Sequence, residues 1–498
     1  MRKATAALPS TLFSGATVRK WEPLLAKQHG VLMWSLMEEA GLRAWQLFRE
    51  RWPEASELTV VCGRGNNAGD AYVLARNALA EGLTVRVLQI QPERLLKGDA
   101  KIAQQQFMDA GGRFEVAEAC RLAGASHIVD GLLGTGFEGD LRPEFLEMIT
   151  AINDSGAKVL ALDLPSGLNG DNGYVAEAVV QADVTLTFVG VKQGLLTGMA
   201  VGCCGDIVLA PLAIGDAMAS QVRCDASKVG FADYLHYLGP RKPDSHKGDH
   251  GRIAVIGGNH GMPGAVRLAS EAALRSGAGL VSIISRYENL PLIQAGRPEL
   301  MLWGSDIADM EVYQRVSWGQ VVLCGPGLGS GDWAYHMWRV ALNSERPLVM
   351  DADALNLLAK NPLKRDDWVL TPHPGEAARL LGVETVDVQR DRFKAVRELQ
   401  ERYGGVVLLK GAGTLIYDGE SMLVAPVGNP GLATGGSGDV LSGIIASLLA
   451  QGLPLLDAAA CGVCLHGEAA DMAAEGGQRG MLASDLMPYI RQLVNPQE

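Results

Sequence analysis

The feature that most limits the fold of this chain is an alternation, run through twice, of short apolar β-prone segments with helical ones. In the first half the β-prone segments are residues 58–62, 85–90, 127–130, 158–163 and 184–189, and helical patterns fill 70–80, 99–110 and 143–153. Residues 21–48 ahead of them read as a pair of helices. The pattern lapses over 211–250 and then restarts at 252–256, 280–285, 320–324, 347–351, 368–371 and 406–410. Two apolar helical stretches, 439–450 and 455–474, close the chain. Strands separated by helices pair in parallel, which predicts an α/β fold with helices on both faces of a mainly parallel sheet in each half. The turn-rich, polar run from Gly239 to His250 places the boundary at 212–240, giving expected domains of 1–225 and 226–498.

Composition excludes several function classes. The 498 residues carry 44 Lys and Arg against 56 Asp and Glu, a net charge of −12. That argues against nonspecific nucleic-acid or anionic-membrane binding, though not against a local anion site. No apolar leader opens the chain and no apolar run reaches the ~18 residues of a membrane span, so a cytoplasmic protein is expected. The eight cysteines do not make a disulfide scaffold. Cys461 and Cys464 form a CxxC, but within an apolar helical run, where small core residues are the simpler reading.

In the first half the segment 58–62 runs into Gly63-Arg-Gly-Asn-Asn-Ala-Gly-Asp70 and then a helix. A strand, glycine turn and helix aim backbone N–H groups at an anion, while Asn and Asp oxygens suit a cation or a ribose as well. Alone, such a turn is equally a plain helix entry. A second segment ends in Asp130-Gly-Leu-Leu-Gly-Thr-Gly136, followed by Phe137, Glu138, Gly139 and Asp140, and a third in Asp163-Leu-Pro-Ser-Gly167. Parallel strands deliver their C-termini to one edge, so the three motifs should meet there.

In order and spacing this series resembles the NAD(P)H-hydrate epimerase domain. The resemblance implies a Rossmann-like three-layer αβα domain in which Asn66, Asn67, Ala68, Gly69 and Asp70, then Gly134, Thr135, Gly136, Phe137, Glu138, Gly139 and Asp140, and Asp163 contact the hydrated dinucleotide. It implies a potassium ion on Asn67, Asp130 and Ser166. Asp163 is the candidate acid/base for opening and reclosing the C–O bond at the hydrate carbon. The family also uses a lysine beside this aspartate, which no motif here places. Ala68 and Ala71 stand where the family usually has glycine, which would weaken binding if either position needs a positive φ.

In the second half, Thr434-Gly-Gly-Ser-Gly-Asp439 leads into an apolar helix. Consecutive N–H groups at a helix start form an anion hole for a transferring phosphoryl group, and an aspartate at its mouth can take a proton from an attacking hydroxyl. No GxxxxGK[ST] string occurs, which argues against a P-loop enzyme. Four further strand ends carry Gly325-Pro-Gly-Leu-Gly329, Asp351-Ala-Asp353, Thr371-Pro-His-Pro-Gly-Glu376 and Lys410-Gly-Ala-Gly-Thr414. Asp351, Asp353 and Glu376 could hold a Mg²⁺ through water, or equally cap helices.

These strings, with His246-Lys-Gly-Asp-His-Gly-Arg252 and Ile256-Gly-Gly-Asn-His-Gly261, resemble the ribokinase-like superfamily and within it the ADP/ATP-dependent NAD(P)H-hydrate dehydratases. The implied nucleotide contacts for ADP or ATP are Lys410, Gly411, Ala412, Gly413, Thr414 and Gly438. The implied hydrate contacts are Ala265, Gly327, His373 and Asp439, with Asp439 as the base. Both resemblances together span nearly the whole chain. They imply a bifunctional repair enzyme acting on NADHX and NADPHX, with potassium in one half, magnesium in the other, and self-association into a homo-oligomer. Two alternatives stand beside it: a ribokinase-fold kinase of a small alcohol with an appended dinucleotide-binding module, and a first half that has lost catalysis and serves as a dinucleotide sensor.

Overall fold

A computed structural model describes residues 7–94, 96–175 and 177–495, which form two compact units parting between Ser227 and Lys228. The N-terminal unit is built on a seven-stranded sheet. From edge to edge its strands are Phe114–Val116, Thr84–Gln89, Glu57–Cys62, His127–Gly131, Lys158–Leu162, Val184–Phe188 and Asp206–Ala210. All their pairings are parallel. Successive side chains divide between two cores. Val60, Cys62, Val129 and Leu160 pack with the helices Gly15–Gln28, Met33–Arg51 and Asn66–Ala80, whereas Val61, Ile128 and Val159 pack with helix Pro143–Asp154. Both faces are apolar because both are covered, which is why these strands read as unbroken apolar runs.

The strand order reverses between Glu57–Cys62 and His127–Gly131, so the connections leaving these neighbours diverge and open a crevice at their C-termini. The Gly63–Asp70 and Asp130–Gly136 motifs lie at that point. Two strands of this sheet were not legible in the sequence. Phe114–Val116 is a mostly exposed edge and Asp206–Ala210 extends the sheet just before the pattern lapses.

The C-terminal unit repeats the design. Its strands run in the order Met301–Gly304, Leu280–Ser285, Arg252–Ile256, Val321–Cys324, Leu348–Met350, Trp368–Leu370, Val406–Leu409, Thr414–Tyr417 and Met422–Ala425. The pairings are parallel as far as Val406–Leu409 and antiparallel for the last two strands. That closing hairpin was not anticipated, because Lys410–Thr414 reads as a loop and hides the start of Thr414–Tyr417. Helices Pro263–Arg275, Ser437–Ala450 and Leu455–Ala473 cover one face through Val266, Ala269, Ile444, Ile445 and their neighbours. Cys461 and Cys464 belong to this core. The reversal here lies between Arg252–Ile256 and Val321–Cys324, at the Gly257–Gly258 and Gly325–Gly329 turns. No helix among the described residues is long and apolar enough to cross a membrane.

Candidate active sites

Helix Asn66–Ala80 begins four residues earlier than its apolar pattern predicts. Asn and Gly are weak helix formers, so the first turn is invisible to periodicity. The turn before it depends on Gly63, where a Cβ would stand 1.9 Å from the Leu132 carbonyl oxygen. Ala68 and Ala71 are therefore helical, have negative φ and are fully buried. The Ala71 Cβ fills space left by Gly131, where an added Cβ would lie 2.6 Å away. The residue that must lack a side chain is Gly69, backed by Met37 and Ala100.

A cavity of about 800 Å³ opens at the crevice. Asn66, Asn67, Asp70, residues 134–138, Asp140 and Asp163 line it, so the three motifs converge as the parallel sheet requires. Ala68, Gly69 and Gly139 are not among the lining residues. Asp163 follows its strand with φ of +62°, an uncommon conformation for a residue with a side chain. Its Oδ1 accepts from Lys192 Nζ at 2.5 Å. Lys192 is 1% exposed and also donates to Thr187 Oγ1 and the Phe188 carbonyl. No motif in the sequence disclosed this lysine. Its one sequence signal is a lysine inside a wholly buried strand, Val191–Lys192. Asp70 is also buried, and desolvation, reinforced by the negative charges of Asp163 and Glu22, raises its pKa well above the ordinary aspartate value.

Beneath the cavity wall Asp130 is fully buried. Its oxygens accept from the Ser166 hydroxyl at 2.6 Å and the backbone N–H groups of Ser166 and Leu132. Burial nevertheless pushes its pKa up to about 6. Asn67 donates through Nδ2 to the Leu133 carbonyl, which leaves its Oδ1 buried and without a hydrogen-bond partner. A buried orphan oxygen beside a desolvated carboxyl and a hydroxyl is an oxygen-only donor set, which fits a hard monovalent cation.

In the C-terminal unit helix Ser437–Ala450 starts after Gly436, whose φ is +89°, and no side chain caps it. Gly435 has open space where a Cβ would be, and a Cβ on Gly438 would approach Lys410 Nζ to 3.3 Å. The first-turn N–H groups thus open on a cradle bordered by a lysine. Asp439 lies in this first turn. Burial, helped by Asp351 and opposed by Lys410, raises its pKa to about 7. Lys410 Nζ donates to Asp351 Oδ1 at 3.0 Å and lies 3.8 Å from Glu376 Oε2. Its own burial lowers its pKa, but these carboxylates prevail and raise it.

The turn carrying His373 is a helix cap. His373 Nδ1 accepts from the N–H groups of Gly375 and Glu376, and Glu376 accepts from the His373 N–H. The ring is half-exposed, and burial together with Lys410 lowers its pKa, so a neutral ring keeps Nε2 as a donor, 3.4 Å from Glu376 Oε1. Gly327, at φ of +58°, abuts Ala265: a Cβ there would be 3.2 Å from the Ala265 Cβ. Asp353 Oδ2 accepts from the Gly329 N–H. Asp351, Asp353 and Glu376 therefore each already hold a protein group. They fit a magnesium that arrives on phosphates and keeps its waters rather than one caged by protein.

Two supporting residues escaped the sequence reading. Arg392 is 1% exposed and donates to the Leu409 and Lys410 carbonyls beneath the Lys410–Thr414 turn. A Cβ on Gly411 would meet its guanidinium at 2.9 Å. His466, buried beside the Ser437 hydroxyl at 3.4 Å, is pushed down to about 4 by burial.

The chain is 46% identical to the bifunctional NAD(P)H-hydrate repair enzyme Nnr of Coxiella burnetii over 98% of its own length and all of that protein's. The chain belongs to the bifunctional NAD(P)H-hydrate repair enzyme family. Nnr of Escherichia coli is 42% identical, covering 100% of this chain and 96% of that protein. Residues 34–194 match the YjeF-related protein N-terminus, and residues 253–492 match the NAD(P)H-hydrate dehydratase family. Among solved structures, a hypothetical protein of Streptococcus mutans is 30% identical with a TM-score of 0.50, over 53% of this chain and 98% of that one. The N-terminal unit is a Rossmann-like αβα domain and the C-terminal unit a ribokinase-like one, as expected for the repair enzymes.

Proposed function

We propose that residues 1–225 interconvert the R and S forms of NAD(P)HX and that residues 226–498 dehydrate the S form to NAD(P)H at the expense of ADP or ATP. The observation that carries the second activity is the uncapped helix start at Ser437, with Asp439 in its first turn and Lys410 across the cradle. Asp439, poised near neutrality, takes the proton of the C6 hydroxyl. The alkoxide attacks the terminal phosphoryl group, whose charge the amides of residues 435–438 and Lys410 stabilise. Magnesium, held through water by Asp351 and Glu376, would supply further neutralisation of phosphate charge. The ring-nitrogen lone pair then expels phosphate, and loss of the C5 proton gives the reduced nicotinamide. Ala265, Gly327 and His373 contact the hydrate, while residues 410–414 and Gly438 contact the nucleotide.

In the epimerase half the convergence of Asn66–Asp70, residues 134–140 and Asp163 on one cavity supports dinucleotide binding there. Asp163, paired with Lys192, handles the proton as the C6–O bond opens and recloses. Asn67, Asp130 and Ser166 would hold the potassium ion, with the unpartnered Asn67 Oδ1 as the observation that supports it.

The test is a mixed R/S preparation of NADHX incubated with the protein, magnesium and either ADP or ATP. Return of the reduced-nicotinamide absorbance to completion is expected. Recovery of the S fraction alone would remove the epimerase assignment. Absence of recovery with both nucleotides would sink the repair reading, and a stable phosphorylated product would replace it with an alcohol kinase.

A further inference from the structure

Helix Gly15–Gln28 turns one stripe inward, along which Val18, Leu25 and Ala26 are buried. Glu22 falls on the same stripe, four residues after Val18 and three before Leu25. A glutamate facing inward is rare unless a cation or a hydrogen bond holds it. Here neither does: among the described residues no hydrogen bond or ion pair engages the Glu22 carboxyl. It is half-buried and lines the same cavity as Asp163, Lys192 and Asp70. The Lys192 ammonium is already committed to Asp163, Thr187 and the Phe188 carbonyl. Among the cavity's carboxyls Asp163 is fixed by a lysine, Asp70 is buried on helix Asn66–Ala80, and Glu22, on a different element and partly exposed, is held by no donor.

Inverting the hydrate carbon requires oxygen to leave one face of the ring and return on the other. A single fixed carboxyl reaches one face only. Resting on the epimerase reading above, we propose that Glu22 is the second proton-transfer group of this reaction and serves the face that Asp163 does not. In one direction the Glu22 acid gives its proton to the C6 hydroxyl as the C6–O bond breaks. The bonding pair leaves with the oxygen as water, and the ring-nitrogen lone pair forms the N1=C6 double bond. Water then adds at the opposite face: its lone pair makes the new C6–O bond, the N1=C6 pair returns to nitrogen, and the proton passes to the Asp163 carboxylate. The reverse reaction exchanges the two roles and restores both groups. Burial raises the Glu22 pKa, with Lys192 opposing and Asp163 adding, which favours a protonated Glu22 beside the Lys192–Asp163 pair.

The experiment uses full-length Glu22→Gln and Glu22→Asp with the separated R and S hydrates in ¹⁸O-water. Glu22→Gln is expected to slow interconversion by roughly 10²–10⁴-fold with KM little changed. One epimer should still exchange its C6 oxygen with solvent, because Asp163 alone can expel and return oxygen on its own face. Glu22→Asp should recover part of the rate, and dehydration of the S hydrate should be untouched in both variants. Interconversion by Glu22→Gln at the wild-type rate overturns the proposal. So does equal loss of exchange in both epimers, the mark of a disturbed cavity rather than a missing acid. A wild-type protein that does not interconvert the epimers overturns the epimerase reading and this assignment with it.

Discussion

Asp439 and Lys192 show how single side chains set the chemistry of each unit. Asp439→Asn should cut dehydration of the S hydrate by ~10²–10⁴-fold while R/S interconversion persists. Because the working form of Asp439 is the carboxylate and its pKa is raised to about 7, the dehydration rate of the native protein should climb as pH rises through 7. A rate profile on pure S hydrate checks both outcomes, and a flat profile from pH 5 to 8 would remove Asp439 as the base. Lys192→Gln should abolish interconversion and leave dehydration intact. It should also lower the stability of the N-terminal unit by ~3 kcal/mol, since a side chain 1% exposed then leaves the Asp163 carboxylate uncompensated. Chemical denaturation followed by far-ultraviolet dichroism reads that loss. The two residues differ in legibility for a physical reason. Asp439 sits in a glycine string at a helix mouth, where local sequence and function coincide. Lys192, 29 residues on from Asp163, meets it only in the folded sheet, where Lys158–Leu162 pairs with Val184–Phe188, and no motif around either one announces the other.

At the scale of the element, the first turn of helix Asn66–Ala80 reverses an expectation drawn from family composition. The alanines at 68 and 71 occupy helical backbone, where alanine is favoured over glycine by about 0.5–1 kcal/mol. Ala68→Gly is therefore expected to destabilise the N-terminal unit by that amount without raising the epimerase rate, as thermal unfolding and the R-hydrate assay would show. Gly69→Ala should do more damage, because the new methyl group meets Met37 and Ala100 inside 3 Å. The central parallel strands were readable because burial on both faces writes an unbroken apolar run into each, whereas the parallel edge strands Asp206–Ala210 and Met301–Gly304 were not. Helix starts rich in Asn and Gly, the exposed edge Phe114–Val116 and the hairpin strand Thr414–Tyr417 were not, because each departs from the period that burial imposes. Glu22 was missed for the opposite reason, since a charged residue on an apolar stripe looks like an interruption of the pattern.

At the scale of the whole molecule, each site is built from residues of its own unit. A protein carrying Asp163→Asn and one carrying Asp439→Asn, mixed in equal amounts, should therefore convert a full R/S mixture to NADH although neither does so alone. The epimer made by one diffuses to the other. Failure of the mixture where the native chain succeeds would mean that the S hydrate is handed on within a chain.

The surroundings of Asp439 have a consequence for how substrates arrive. Asp351, Glu376 and Asp439 crowd about a single ammonium, that of Lys410, Asp353 adds its charge at Asp439, and burial raises the pKa of Glu376 as well as that of Asp439 to about 7. A bare nucleotide would bring several more negative charges into a pocket already short of positive ones. Divalent cation and polyphosphate are therefore not independent visitors: each tightens the grip on the other by the same factor, and acidification, by discharging the pocket, loosens their mutual dependence.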